Sequence, residues 1–379
     1  MTEQILRDAG PQGRPVACPA MAHRFRFGIQ STRPFEGMTW SETARRIEEL
    51  GYSTLFVPDH FGDQLAPIAA LSVAAEATTT LKVGALVFDN DYRHPVTLAK
   101  EMATLDLLSS GRVELGLGAG WMVTDYEQSG MTYDPPAVRV DRFEEALAVV
   151  QGLFGDGPVD FDGEHYRISG LEGLPRPHTP GGPPLLIGGG GRRVLSIAAR
   201  HADIVGVNPD LRAGRIDAAT TADALASAVD RKIAWVREAA GDRIEQIELN
   251  QLCFAATVTD DLDPYVEFLA GLFGTPADEV LESPTVVAGS LPEVVDRLEA
   301  RHAREDRLLT CPTGQVDLAV LEDRQQAVAV APHRVQPLPR ARGPRARERR
   351  RLRGRRRRRA RGQHQARGQQ QAGQHGARA

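Results

Sequence analysis

The chain between Leu98 and Trp121 reads LAKEMATLDLLSSGRVELGLGAGW, and this stretch guides the interpretation of the whole sequence. It continues a segment from Pro95 to Leu108 that we interpret as a helix, with the proline at a favoured first-turn position. Val113 to Leu117 is a short apolar run typical of a buried strand. A glycine-rich segment ending in Trp121 follows. The stretch therefore predicts a helix, a strand and a loop, in that order.

Short apolar runs alternate with longer amphipathic segments on both sides of this stretch. Strands joined by helices imply a parallel sheet, and about 300 residues suit a closed barrel. The predicted class is α/β, a (β/α)8 TIM barrel with an insertion after strand 4 that includes a helix and a hairpin. Seven strands are predicted, at or within 25–30, 54–57, 81–88, 113–117, 185–187, 203–207 and 247–258. The predicted helices are 40–50, 67–77, 95–108, 141–154, 194–201, 222–240, 264–281 and 292–304.

The eighth strand is the weak point of this pattern. After the helix that ends near Ala300, the chain from Arg301 to Arg307 is strongly charged, and only Leu308 and Leu309 are apolar before residues 316–321. We therefore expect residues 301–321 to be atypical. The expectation is that strands 7 and 1 lack a proper bridge and leave unpaired edges, which would lower stability.

The charge of the chain is divided between two unlike parts. Residues 324–379 contain 18 of the 46 Lys and Arg residues but one of the 50 acids, Glu348, so the preceding part is strongly acidic. We expect three segments: a disordered N-terminal extension at 1–22, a barrel domain at 23–323 and a disordered Arg/Gln-rich tail at 324–379. A translated frameshift would explain the tail. The alternative is a genuine basic tail that binds nucleic acid or an acidic partner.

Composition also limits the class of protein. No apolar run reaches the roughly 18–20 residues needed to span a bilayer. Cys18, Cys253 and Cys311 are odd in number and have no metal-ligand spacing, so a reduced, cytoplasmic protein without a metal site is expected. The acidic body argues against a specific nucleic-acid partner. No membrane association is expected, because the sequence lacks a spanning apolar run.

The candidate functional residues lie at the ends of predicted strands, where barrels place their chemistry. Asp59 and His60 follow strand 2 and form either an acid–base pair or a structural pair that caps the next loop. Trp121, after Gly118 and Gly120, either walls a planar ring or belongs to the core. Further polar residues follow strands 1, 3 and 6, namely Gln30, Asp89, Asn90, Asp91 and Asn208.

Four glycines open a helix directly after strand 5. Glycine lets a backbone approach a phosphate, and a helix N-terminus offers free N–H groups and the positive end of a dipole. Arg192 and Arg193 could add charge. The alternative is a tight turn that needs a positive φ. Four glycines exceed that need, which favours phosphate binding at Gly188, Gly189, Gly190 and Gly191.

Glu114 lies within the buried-looking strand 4. A buried carboxylate is costly unless it is paired. The residue is therefore either functional or bonded to an arginine, and the second interpretation is favoured.

The quoted stretch resembles the signature of the luciferase-like monooxygenase superfamily, approximately LAxxxATLDxLSxGRxxLGxGxGW. Segments 49–60 (ELGYSTLFVPDH) and 183–191 (PPLLIGGGG) agree with it. Together with segment 203–208, they make the chain resemble actinobacterial coenzyme F420-dependent oxidoreductases. The resemblance covers about Phe25 to Ala300.

The resemblance implies a cofactor held across the strand ends, with its phosphate near the four glycines and with a non-proline cis peptide near Leu86 and Val87. It implies hydride transfer between reduced F420 and a small organic substrate, with Asp59 and His60 beside the reactive ring. Gly118, Gly120, Trp121 and Asn208 complete the expected cofactor site. A homodimer is common in the family. The alternatives are an FMN-dependent monooxygenase, which needs oxygen and a flavin reductase partner, and an inactive remnant with a damaged C-terminus.

Overall fold

The computed structural model describes residues 26–303 and 306–312, and a ring of parallel strands lies at its centre. The expected N-terminal extension, Phe25 and the basic tail lie outside the described residues. The described strands are β1 (Arg26–Gln30), β2 (Thr54–Val57), β3 (Lys82–Ala85), β4 (Phe88–Asp89), β5 (Val113–Gly118), β6 (Pro158–Asp162), β7 (Arg167–Glu172), β8 (Leu185–Gly189), β9 (Ile204–Val207), β10 (Glu248–Leu252), β11 (Ala255–Val258), β12 (Val286–Gly289) and β13 (Asp306–Pro312).

Helices connect most of the strands, and their apolar faces pack against the outside of the sheet. The helices are α1 (Trp40–Glu49), α2 (Pro67–Ala77), α3 (Pro95–Leu108), α4 (Val123–Ser129), α5 (Pro136–Phe154), α6 (Arg192–His201), α7 (Ala218–Ala222), α8 (Ala226–Ala240), α9 (Asp263–Phe273), α10 (Ala277–Glu282) and α11 (Leu291–Ala303). Short 3-10 helices span Asn90–Tyr92 and Gly241–Gln246.

The strand pairings run in one direction around the ring. The order is β3, β2, β1, β13, β10, β9, β8 and β5, and β5 pairs again with β3. All of these pairings are parallel. The predicted α/β class, built on a curled parallel sheet, is therefore confirmed. Because the strands are parallel, their carboxyl ends meet at one edge.

The eighth strand differs from the expectation drawn from the sequence. Strand β13 pairs with β1 on one side, where Leu309 lies opposite Phe27, and with β10 on the other. The expected gap between strands 7 and 1 is therefore not observed. Backbone N–H and C=O groups form the ladder, so a strand can pair there although the preceding residues are charged.

Two further differences concern strand boundaries. The predicted strand 81–88 is divided into β3 and β4 by a cis peptide bond between Leu86 and Val87, at the position that the resemblance implied. The predicted run 247–258 is also divided. Strand β10 stays in the ring, whereas β11 leaves it and pairs with β12, a strand that the sequence analysis missed.

The chain between β5 and β8 carries helices α4 and α5 and an antiparallel hairpin of β6 and β7. Glu145 on α5 fixes the hairpin turn, because its carboxylate accepts backbone N–H bonds from Glu164, His165 and Tyr166 at 2.8–3.0 Å. This segment places α4, which follows β5 directly, over the carboxyl ends of the strands.

A buried ion cluster lies at the amino ends of the strands. Glu114 accepts from Arg26 and from Lys82, each at 2.9 Å, and from the Thr54 hydroxyl at 3.1 Å. Arg26 also pairs with Glu248 at 2.7 Å. Burial alone would raise the pKa of Glu114, but the two cations outweigh it and the pKa is lowered. The predicted bond of Glu114 to an arginine is confirmed.

Candidate functional site

His60 and Asp125 form a hydrogen-bonded pair at the carboxyl ends of the strands. His60 follows β2, and its Nδ1 lies 2.6 Å from Asp125 Oδ2. The His60 side chain is 26% exposed, whereas that of Asp125 is 6% exposed. The hydroxyl of Tyr92 donates to the same carboxylate oxygen at 3.0 Å, and the Phe61 N–H lies 3.4 Å from the other. The carboxylate therefore fixes the ring through Nδ1 and leaves Nε2 for another partner.

The sequence places Asp125 where its charge is tolerated. It lies in the first turn of α4, where free backbone N–H groups and the helix dipole favour an acid. The sequence analysis missed this residue. An acid four residues after Trp121, just beyond a glycine-rich strand end, is the signal that could have identified it.

Trp121 stands beside His60. The two rings meet edge to face, with centroids 5.6 Å apart. The backbone carbonyl of Trp121 accepts a hydrogen bond from the Tyr133 hydroxyl at 3.0 Å, which ties the loop before α4 to the segment before α5. The structure thus brings Trp121 and His60 together, as a shared site requires.

Asp59 has a different environment from its neighbour His60. Its carboxylate is bound by both terminal nitrogens of Arg93, at 2.5 and 3.1 Å, and it accepts the Asp89 backbone N–H at 3.0 Å. The Arg93 guanidinium in turn lies over the Phe88 ring at 4.9 Å. Both oxygens of Asp59 are engaged, which favours an orienting role. A direct role in proton transfer stays a prediction.

A second carboxylate group surrounds Tyr126 on α4. The Tyr126 hydroxyl lies 2.9 Å from Asp91 Oδ2 and 3.2 Å from Asp89 Oδ2. Arg142 on α5 pairs with Asp91 at 2.8 Å. Gly120, with φ of 75°, leaves room for Asp89 and Tyr126, because a Cβ there would lie 2.8 Å from both Asp89 oxygens. Gly120 therefore has a packing reason to be glycine, and its contact with a cofactor stays a prediction.

Leu86 and Val87 lie at the centre of the strand ends. The Leu86 carbonyl accepts a hydrogen bond from Gln30 Nε2 at 2.8 Å. Val87 rests on glycines of two neighbouring strands. A Cβ at Gly118 would lie 2.7 Å from Val87 Cγ2, and one at Gly188 would lie 3.7 Å from Val87 Cγ1. Because Gly118 on β5 and Gly188 on β8 have no side chains, they leave space for the side chain of Val87.

The four glycines at the junction of β8 and α6 have no positive φ, so the tight-turn alternative is not what the backbone adopts. Gly188 and Gly189 end β8, and Gly191 is the N-cap of α6 without a side-chain cap. A Cβ at Gly190 would overlap the Pro209 backbone. The cap residue alone has open space, with the Asp210 carboxylate 3.9 Å from the position of its Cβ.

The two arginines after the glycines have partners elsewhere. Arg192 pairs with Glu238 at 2.8 Å, and Arg193 pairs with Asp141 and Glu144 at 2.5 Å. The structure therefore does not bring either guanidinium to the glycines as a free cation.

Asn208 follows β9 and lies beside the glycines that end β8. Its backbone N–H donates to the Gly189 carbonyl at 3.0 Å, and its Nδ2 lies 3.0 Å from where a Gly188 Cβ would stand. Its Oδ1 is buried and has no hydrogen-bond partner among the residues that the structure describes. A buried acceptor without a donor is costly, which marks a place for a ligand N–H or an ordered water.

Among residues 26–303 and 306–312, no helix is both long and apolar enough to cross a membrane. The same part of the chain holds no group of three or more His, Cys, Asp or Glu side chains placed to bind a metal ion.

Residues 28–241 match the family model of the luciferase-like monooxygenases. This match covers more than half of the chain, and the chain belongs to that family.

Three individual relatives are similar to this chain over different shares of its length. An F420-dependent glucose-6-phosphate dehydrogenase of Amycolatopsis mediterranei is 31% identical over 170 residues, 43% of this chain and 50% of the relative. A 5,10-methylenetetrahydromethanopterin reductase of Archaeoglobus fulgidus is 28% identical over 48% of this chain and 53% of the relative. The chain thus spans about half the length of these two relatives. An F420-dependent hydroxymycolic acid dehydrogenase of Mycobacterium tuberculosis is 27% identical over 74% of this chain and 83% of the relative.

Solved structures share the fold. An F420-dependent secondary alcohol dehydrogenase in complex with an F420-acetone adduct has a TM-score of 0.61 at 21% identity, covering 76% of this chain and 93% of that one. Monooxygenase RslO1 from Streptomyces bottropensis has a TM-score of 0.57 at 17% identity, covering 77% and 93%. The fold is therefore shared by dehydrogenases and monooxygenases, and it does not by itself choose between them.

Proposed function

We propose that this protein is an F420-dependent oxidoreductase that transfers a hydride between the deazaflavin and a small organic substrate. The observation that carries the proposal is the partly exposed His60, fixed through Nδ1 by Asp125 and flanked by Trp121, at the carboxyl ends of the strands. The F420-dependent relatives support the choice of cofactor.

The residues at the strand ends fit such a cofactor. The Val87 side chain, which packs against Gly118 and Gly188, provides an apolar surface for a planar ring. The unpartnered Asn208 Oδ1 fits the N–H group of the pyrimidine edge of that ring. The uncapped N-terminus of α6 at Gly191 offers backbone N–H groups to a phosphate.

Reduced F420, when bound, supplies the hydride, and the protein supplies position and a proton. Asp125 holds His60 in one orientation, so that Nε2 can hold a proton or give one up to a substrate oxygen. Trp121 contacts the imidazole edge to face and limits the positions that the ring can adopt. Asp59, held by Arg93, orients the loop from which His60 projects.

Equilibrium titration tests the proposal. Purified protein is titrated separately with F420 and with FMN, and binding is followed by quenching of tryptophan fluorescence. The expected result is saturable binding of F420 that is tighter than that of FMN. The matched variant Asn208→Ala should weaken F420 binding without unfolding the protein.

Other outcomes decide against the proposal. Tighter binding of FMN, with oxygen consumption in the presence of a flavin reductase, would make the protein a monooxygenase. Failure of the folded protein to bind either cofactor would indicate an inactive remnant.

A further inference from the structure

Three carboxylate oxygens surround the hydroxyl of Tyr126, which carries a single proton. Asp91 Oδ2 is the closest, at 2.9 Å, and the two oxygens of Asp89 lie at 3.2 and 3.3 Å. One hydroxyl proton can serve only one of these carboxyl groups well. The other contact is attractive only if a second proton lies between that carboxyl group and Tyr126.

The other partners of the two acids show where the second proton lies. Asp91 is paired with Arg142 at 2.8 Å and is therefore stabilised as a carboxylate, which accepts the Tyr126 proton. Asp89 is 6% exposed, and no salt bridge to it is present within the described residues. Apart from Tyr126, the described part of the chain offers its carboxyl group one further donor, the backbone N–H of Asp91 at 2.9 Å.

The charges that face Asp89 from the neighbouring elements favour its neutral form. Asp59, at the end of β2, and Asp91, in the 3-10 turn, are both acidic, and each has its own arginine. Burial raises the pKa of Asp89 to about 7, and the charges of Asp91 and Asp59 act in the same direction, against the Asp91 N–H and the Tyr126 hydroxyl. Of the two acids on α4, Asp125 is engaged by His60 and Tyr92, and Glu127 is exposed to solvent.

We propose that Asp89 is a protonated positioning residue that donates to Tyr126 Oη, while Tyr126 donates to Asp91, and that these two bonds hold α4 in place. Asp125 precedes Tyr126 on that helix, so the same bonds set the carboxylate that orients His60. Loss of the Asp89 proton leaves two carboxylates around one hydroxyl proton, and their repulsion loosens α4. The effect on turnover rests on the proposed oxidoreductase function, whereas the protonation does not.

The sign of the pH dependence follows from the direction of the shift. Asp89 has a folded-state pKa of about 7, above the value of 3.8 for an unperturbed aspartate. The folded chain therefore binds more protons than the unfolded chain between these values. The stabilisation is complete below the unfolded value and is lost as pH rises through about 7.

The first experiment compares thermal unfolding of the wild type and Asp89→Asn without cofactor, from about pH 5 to about pH 9. Asparagine is neutral at every pH and can still donate to Tyr126. The two proteins should have similar Tm at the acidic end, and the variant should melt higher by about 2–4 °C at the alkaline end. Asp91→Asn is the matched control. It removes one of the two carboxylate partners of Arg142 and also the charge that helps to raise the pKa of Asp89, so its Tm should be lower at every pH and its loss of stability should begin at a lower pH than in the wild type.

The second experiment detects the proton directly. Below neutral pH, the infrared spectrum of the wild type should contain a protonated-carboxyl band that Asp89→Asn removes and Asp91→Asn retains. Tyr126→Phe should shift this band, because the carboxyl proton loses its acceptor, so the proposal stays testable even if Asp89→Asn does not fold. A band that neither Asp89→Asn nor Tyr126→Phe alters, or a Tm difference that is constant with pH, would overturn the proposal.

The third experiment connects the proton to the reaction. In the loaded enzyme, wild-type kcat should fall as pH rises through about 7, and Asp89→Asn should retain its activity there with an unchanged KM for F420. If the protein proves inactive with F420 while the band and the Tm difference are found, the proposed function fails and the protonation of Asp89 stands. A falling limb that persists in Asp89→Asn would remove the link between Asp89 and His60.

Discussion

The two ends of the strand ring differ in how many of their buried acids have a cationic partner. At the amino ends, Glu114 and Glu248 are matched by Arg26 and Lys82, and each carboxylate has a cation within 2.9 Å. At the carboxyl ends, the acids outnumber their cations. Asp59 and Asp91 have arginines, but Asp89 and Asp125 are held by tyrosines, a histidine and backbone N–H groups.

This difference separates stability from function. A fully paired cluster gains nothing from a ligand, so its loss should affect folding alone. Within residues 26–303 and 306–312, the carboxyl end retains an unpartnered amide oxygen at Asn208, a helix without a side-chain cap at Gly191 and a histidine with one free nitrogen. Such groups lower the stability of the free protein, and a bound ligand would supply their missing hydrogen-bond partners.

The largest expected effect is at the carboxyl end. His60→Ala should lower kcat with F420 by about 10²- to 10⁴-fold, because a positioned proton donor acts in the transition state. Cofactor affinity should change much less. Steady-state kinetics with parallel F420 titration measures both quantities.

His94→Ala is the matched control for this prediction. His94 lies at the same end of the molecule, but its Nδ1 accepts the Val96 N–H and caps α3. Its loss should cost about 1 kcal/mol of stability, as for other N-caps, and leave kcat near the wild-type value. Equal loss of turnover in both variants would assign the effect on His60 to structure rather than to chemistry.

The sequence predicted the strand ring and the candidate site to different extents. Apolar periodicity and the proline and glycine boundaries predicted α2 and α3 to the residue, because local physics fixes those ends. Sequence reasoning failed at β13, because this strand pairs through its backbone with β1 and β10 although the residues before it are charged. It also failed at β11 and β12, whose pairing joins segments about thirty residues apart.

Within the candidate site, the structure brings together two residues that the sequence proposed, His60 and Trp121, but their partners were not predicted. Both residues were proposed because they follow strands, and their roles stay predictions. Asp125 and Tyr126 were missed, since their contacts with residues after β2 and β4 depend on how α4 packs, and the sequence offers only the position of Asp125 just beyond a glycine-rich strand end as a signal. Asp59 was grouped with His60 by adjacency, yet the two side chains have separate partners.

The next effect is at the amino end. Glu114→Ala should cost about 3 kcal/mol of unfolding free energy, at the low end for a broken buried pair because Arg26 keeps Glu248. Denaturant unfolding measures this loss. Cofactor affinity of the folded variant should be unchanged, and a weakened affinity would contradict the separation of the two ends.

A smaller effect, of opposite sign on stability and on binding, is expected at Gly191. Gly191→Asp introduces an N-cap carboxylate on α6, which should stabilise the helix by only roughly a few tenths of a kcal/mol, because glycine is itself an acceptable N-cap and the Asp210 carboxylate lies nearby. The same charge should weaken F420 binding by about tenfold, because it occupies the anion position at the helix terminus. Gly189 and Gly190 are unsuitable for this test, since side chains there would meet Val194 and Pro209.

Gly191→Ala is the control for the added charge. The φ of Gly191 is −86°, which alanine adopts without strain, so affinity should stay near that of the wild type. If both variants bind F420 as tightly as the wild type while the protein is folded, the phosphate does not lie at α6.

The smallest effect is expected at Arg192, the residue that follows the glycines and that sequence alone suggests as a phosphate ligand. Its side chain is 61% exposed and its partner Glu238 is 66% exposed, so the pair contributes about 0–1 kcal/mol to stability. Arg192→Ala should therefore change Tm and F420 affinity only slightly, and raising the salt concentration should reduce even that difference. A large loss of affinity in Arg192→Ala, reproduced in Arg192→Gln and absent in Glu238→Gln, would mean that the guanidinium leaves Glu238 for the cofactor phosphate. The anion site would then depend on a mobile cation as well as on backbone N–H groups, and the contrast between the two ends would be one of exchangeable rather than missing partners.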